Sequence, residues 1–137
     1  MPRYAGLNFT QGGFMKLTEL YTVDAHEDGA EVRILDGEGV KTPLYIKVKG
    51  TDSVSYRHQL KKQKAAYFEA AQKNKDVDTD KFVADALVAC TIGWRGTDEK
   101  FTKKLCRELY EKAPFVKEQI DTFMAERSNF TKAKPIK

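Results

Sequence analysis

The sequence predicts an α+β fold: an N-terminal β-hairpin followed by a bundle of about four α-helices. Three observations predict it. Apolar and polar residues alternate between Glu31 and Lys49. A Gly-rich connection, Asp36-Gly37-Glu38-Gly39, divides that stretch in two. Beyond Gly50 the apolar spacing changes from two to three and four, which is the period of a helix face.

In the first predicted strand, Val32 and Ile34 alternate with Glu31 and Arg33. In the second, Leu44, Ile46 and Val48 share one face and Tyr45, Lys47 and Lys49 the other. Pro43 has no N–H for a ladder, so it predicts an edge position for that strand. A lone hairpin is marginal in water, so this one must pack on the helices or on another chain.

Thr51-Asp52-Ser53 offers N-cap residues, and a helix is expected from there to about Lys75. Tyr56, Leu60, Tyr67 and Ala71 lie near one face of it, with Arg57, Lys61, Lys62 and Lys64 largely elsewhere. Asp78 or Thr79 caps the next helix, whose stripe is Phe82, Val83, Ala86, Leu87 and Cys90. Gly93 falls where a C-cap is expected, and Trp94-Arg95-Gly96 reads as a tight connection. The third helix carries Phe101, Leu105 and Leu109, with Thr97 or Thr102 as cap. Pro114 suits the first turn of a fourth, which holds Val116, Ile120, Phe123 and Met124 and ends near Ser128-Asn129-Phe130.

A chain of 137 residues sets the expectation of one domain, here residues 15–130. Residues 1–14 read as a poorly ordered extension ahead of a natural start at Met15, and residues 131–137 as a basic, mobile tail. No apolar run is long enough to span a bilayer or to serve as a signal core. The net charge of +4 is spread over interleaved acids and bases, which reads as a solvated surface.

The chemistry-bearing residues are few. Catalysis needs convergent titratable groups, an activated nucleophile or a metal, and no such constellation stands out, so neither an enzyme nor a metal or cofactor site is expected. His26, in Asp24-Ala25-His26-Glu27-Asp28, reads as part of a solvated turn rather than a metal ligand. His58 reads as a surface residue. Cys90 and Cys106 lack CxxC spacing and read as buried, reduced thiols. Gly37-Glu38-Gly39 is followed by no Lys-Ser/Thr pair and reads as a hairpin turn. Glu108, Glu111, Glu118 and Glu126 read as solvated carboxylates. The basic run Arg57 to Lys64 can neutralise phosphates, but no nucleic-acid reader motif accompanies it.

Several segments, in order, carry a resemblance. They are Glu31-Val32-Arg33-Ile34, Ile46-Lys47-Val48-Lys49-Gly50, and Ala86 through Trp94. Phe101-Thr102, Ala113-Pro114-Phe115-Val116 and Ser128-Asn129-Phe130 follow. Together they resemble the tail assembly chaperones of long-tailed bacteriophages. The extension before Met15 and the charged region Lys73 to Lys81 depart from that pattern. The resemblance implies a non-enzymatic protein of the host cytoplasm that binds the tape measure protein, keeps it soluble and helps recruit tail tube subunits. It also implies a homo-oligomer, with no membrane and no nucleic acid among its partners. The alternatives are a structural tail or head completion protein and, behind it, a small basic nucleic-acid-binding module. The expected partner or self-association surface lies in the C-terminal half. Its candidates are Trp94, Phe115, Phe123 and Phe130; Trp94, Phe115 and Phe130 lie at connections or helix ends, where a large aromatic is either a core wedge or an exposed anchor.

Overall fold

The computed structural model describes residues 13–130, so the expectations for residues 1–12 and 131–137 lie outside the described residues. Gly13 and Phe14 have no regular structure, and Phe14 is fully exposed. A 3-10 turn, Leu17–Leu20, leads into helix α1 (Val23–Asp28). Strands β1 (Ala30–Leu35) and β2 (Lys41–Val48) come next, then α2 (Val54–Gln72) and α3 (Thr79–Cys90). Strand β3 (Thr91–Arg95), α4 (Lys103–Lys112), α5 (Pro114–Ala125) and a 3-10 turn, Arg127–Phe130, complete the fold.

The α+β class holds, with two differences from expectation: a helix precedes the hairpin, and the sheet has a third strand. The order is β1-β2-β3, antiparallel throughout. Gly93 is therefore not a helix C-cap, and Trp94 is not in a turn. Helix α3 passes into β3 without a loop because its terminal carbonyls find other donors. Lys103 Nζ donates to the carbonyls of Val88 and Thr91, both at 2.8 Å, and Thr91 Oγ1 donates to Leu87 O at 2.7 Å. Tyr110 then donates its hydroxyl proton to Thr91 Oγ1, at 2.8 Å.

Strand β2 is central, so the edge position read from Pro43 is also corrected. The β1–β2 register slips between Arg33 and Leu35, and Pro43 sits in that irregularity. Beyond β3 the chain turns against it: a Cβ on Gly96 would lie 1.9 Å from Pro43 O, and Gly96 has φ +97°. The outer edge of β1 is covered by Gln119 of α5, whose side-chain amide exchanges two 2.8 Å hydrogen bonds with the main chain of Leu35.

The row Val32–Ile46–Trp94 runs across the three strands on the helix-facing side. There it meets Leu87, Cys90, Cys106, Tyr110, Val116, Ile120 and Met124, the core. The opposite face carries Glu31, Tyr45 and Arg95 in a surface lock. Arg95 makes two 3.0 Å bonds to the Glu31 carboxylate while its guanidinium lies 4.0 Å from the Tyr45 ring centroid.

Ser53, Asp78 and Thr102 cap α2, α3 and α4, each accepting a main-chain N–H three residues on. Pro114 occupies the first turn of α5 as expected. Helix α2 ends at Gln72, three residues short of the expected Lys75, where Asn74 takes φ +58°. It buries none of its residues and contacts mainly α3 and α1.

Candidate functional site

The four aromatics predicted as candidates occupy three different settings. Trp94 lines an apolar groove of about 300 Å³, with Leu44 of β2 and Leu105, Leu109 and Ala113 of the α4 region. Its ring is partly buried and meets Phe101 edge-on at 5.0 Å. The indole Nε1 donates to Glu99 O at 2.8 Å, which fixes the ring as one wall. Leu44, Leu109 and Ala113 also support the core, whereas Leu105 lies outside that cluster. Glu99, Glu108 and Lys112 rim the groove. Its form is that of a site for apolar side chains with polar groups around them.

Phe115 and Phe123 share a second, shallower cleft of about 1020 Å³ between α5 and the turn joining β1 to β2. Phe115 is 42% exposed and Phe123 is partly buried. The turn is built by Asp36, whose Oδ1 accepts the N–H groups of Glu38 and Val40, with Gly39 at φ +82°.

Phe130 is in the core, at 3% exposure, so it is a wedge and not an exposed anchor. It stacks on His26 with ring centroids 4.7 Å apart and meets Phe123 edge-on at 5.5 Å. The acidic run around His26 predicts a solvated turn, and the structure corrects this. The ring is completely buried in α1, because Gly50, Asp52 and Phe130 close over it from distant parts of the chain. Its Nδ1 accepts the Asp52 N–H at 2.9 Å, so the neutral ring carries its proton on Nε2. That nitrogen has no hydrogen-bond partner among the described residues and lies 3.6 Å from Asp52 Oδ2, too far for a hydrogen bond.

Asp52 is the hub of this cluster. Arg127 grips its carboxylate with two 3.0 Å bonds, and Thr22 donates to Oδ2 at 2.5 Å. Those two partners hold the Asp52 carboxyl well below the usual carboxylate range. The cluster joins α1, the start of α2 and the final 3-10 turn. Nothing in the local sequence signals it, since its members lie up to about a hundred positions apart.

Burial pushes the His26 pKa below its ordinary 6.5; Asp52 opposes the shift and Arg127 adds to it. A lowered folded-state value means that the unfolded chain takes up the proton first. Stability from this group is therefore complete above pH 6.5 and falls as pH drops below it, with a limiting slope of about 1.4 kcal/mol per pH unit. Chemical denaturation between pH 7.5 and 5 is expected to show stability level at the upper end and falling below pH 6.5, no more steeply than that limit, and His26→Gln is expected to abolish the fall. Asp52 adds its own loss only below its unfolded value of 3.8, so the two windows are separate.

Cys90 and Cys106 are buried free thiols, as expected. Burial raises both pKa values, that of Cys90 to about 11, so neither is a ready nucleophile at neutral pH. Among the described residues no group of three or more His, Cys, Asp or Glu side chains is placed to hold a metal ion. No described helix is long and apolar enough to cross a membrane. Compared with protein-family models, with curated proteins and with solved structures, the chain matches none.

Proposed function

We propose that the protein is an assembly chaperone of a long-tailed bacteriophage, acting in the host cytoplasm. On this reading it binds the tape measure protein, shields its apolar helical stripes and helps bring tail tube subunits to it. The observation that carries the reading is the Trp94 groove, an apolar slot rimmed by Glu99, Glu108 and Lys112. A slot of about 300 Å³ receives one or two side chains of a helix at a time. Such contacts are individually weak, which suits a coat that must leave when the tube forms.

Exposed apolar residues elsewhere add to this picture. Leu17, Leu20 and Tyr21 are 70%, 59% and 66% exposed. Single exposed apolar residues are ordinary, but three within five positions make a second contact region for an apolar partner.

Co-expression with a candidate tape measure protein tests the proposal, scored by the soluble fraction of that partner. A soluble complex supports it, and a partner that precipitates equally with and without the protein refutes it. A structural tail or head completion protein would remain in the finished particle, where mass spectrometry of purified virions would find it.

A further inference from the structure

Two surfaces outside the Trp94 groove carry opposite charge. The first is a stripe on α2. Val54, Arg57, Lys61, Lys64 and Phe68 recur at steps of three and four, so they share one helix face. All five are exposed, Val54 to 62% and Phe68 to 68%. The stripe reads apolar, three cations, apolar. Lys61 and Lys64 form no ion pair with a described residue. Arg57 lies 3.6 Å from Asp52, but that carboxylate is already held by Arg127.

The second surface is the cleft around Phe115 and Phe123. Asp36, Glu118, Asp121 and Glu126 line it, and no Lys, Arg or His does. Asp36 is occupied by main-chain N–H groups, and Glu126 accepts from Ser128 Oγ at 2.8 Å. Glu118 and Asp121 are exposed and have no cation opposite them among the described residues. The cleft therefore presents aromatic surface among carboxylates, the complement of the α2 stripe.

We propose that the protein associates head to tail with further copies of itself, the cationic stripe of α2 on one copy seating in the acidic Phe115–Phe123 cleft of the next. The occupant follows from complementarity. A helix with cations between apolar ends matches a cleft with aromatics among acids, and each surface supplies what the other lacks. Nucleic acid fits less well: it would use the cations of α2, leave the apolar ends idle and leave the acidic cleft unexplained. A head-to-tail contact of this kind is heterologous, and it forms a ring or an open filament according to the rotation between copies. This contact uses neither the Trp94 groove nor a tape measure protein.

The test uses the full chain and two charge-reversed variants, Lys61→Glu with Lys64→Glu and Glu118→Lys with Asp121→Lys. The wild type is expected to associate in low salt, by sedimentation velocity, and to dissociate as salt is raised. The first variant reverses the net charge of the stripe, where Arg57 remains, and the second cancels that of the cleft, where Asp36 and Glu126 remain, so each is expected to associate at least about tenfold more weakly than the wild type. Mixing the two variants brings the unaltered stripe of one to the unaltered cleft of the other and is expected to restore association between them. Circular dichroism and thermal melts verify folding; should a reversed variant fail to fold, Lys61→Gln with Lys64→Gln and Glu118→Gln with Asp121→Gln take its place, each expected to weaken association. A wild type that stays monomeric in low salt overturns the proposal, even if α2 then binds duplex DNA. So does association that survives both variants, or a mixture of folded reversed variants that stays dissociated.

Discussion

Replacing Phe130 with Ala is expected to lower folding stability by about 3–5 kcal/mol, the range for emptying a buried aromatic site. The ring is 3% exposed and is held on one face by His26 and at its edge by Phe123. Its removal leaves a cavity where the final 3-10 turn meets α1, and it exposes a histidine that depends on exclusion of water. Phe115→Ala is the internal control. That ring is 42% exposed, and its loss is expected to cost less than about 1 kcal/mol. Urea denaturation of the two variants separates them by midpoint. Equal costs would contradict the placement of one ring in the core and the other in an open cleft.

Gly50→Ala is expected to cost about 3 kcal/mol, at the upper end of ordinary overpacking. A Cβ there would lie 2.0 Å from His26 Nδ1 and 2.7 Å from Cγ. The imidazole has nowhere to go. It is stacked on Phe130, its Nδ1 is engaged by the Asp52 N–H, and the Gly50 N–H is itself bonded to His26 O at 3.0 Å. Accommodating one methyl group therefore means expelling the ring or moving the β2–α2 connection. The cause is checked by a double-mutant cycle. His26→Ala clears the space, so Gly50→Ala is expected to cost markedly less in that background. Additive costs, or a Gly50→Ala midpoint close to wild type, would contradict the close packing.

Much of the fold is legible in local patterns. The hairpin follows from two-residue alternation around Asp36-Gly37-Glu38-Gly39, and the caps Ser53, Asp78 and Thr102 each stand where short-range chemistry puts them. Strand β3 is not legible in that way. Thr91-Ile92-Gly93-Trp94-Arg95 is short, contains a glycine and continues directly from a helix, so the usual stop signal belongs to Lys103, which lies twelve residues on from Thr91. The central position of β2 is hidden for the same reason, since Pro43 argues for an edge until the irregular register beside it is known.

The candidate surfaces divide similarly. Trp94 can be picked out as a large aromatic near a helix end, but its groove needs Leu44 from the second strand, half the domain away. The periodicity of Arg57, Lys61 and Lys64 can be read from sequence, whereas the acidic cleft depends on α5 meeting the hairpin turn. His26 gives no local sign of burial, because its neighbours Asp24, Glu27 and Asp28 are all acidic and its covering groups come from two other segments, Gly50 with Asp52 and the turn that holds Phe130.

Whether the Trp94 groove docks the tape measure protein is read from co-expression of that protein with wild type or with Leu105→Glu. Leu105 lines the Trp94 groove but stands outside the core cluster, so the variant is expected to fold while placing a charge where an apolar side chain would dock. Soluble tape measure protein is expected with wild type, and a soluble yield lower by about tenfold with the variant, as for a loss near 1.4 kcal/mol in binding. Equal solubility with a folded Leu105→Glu variant would contradict docking in the groove.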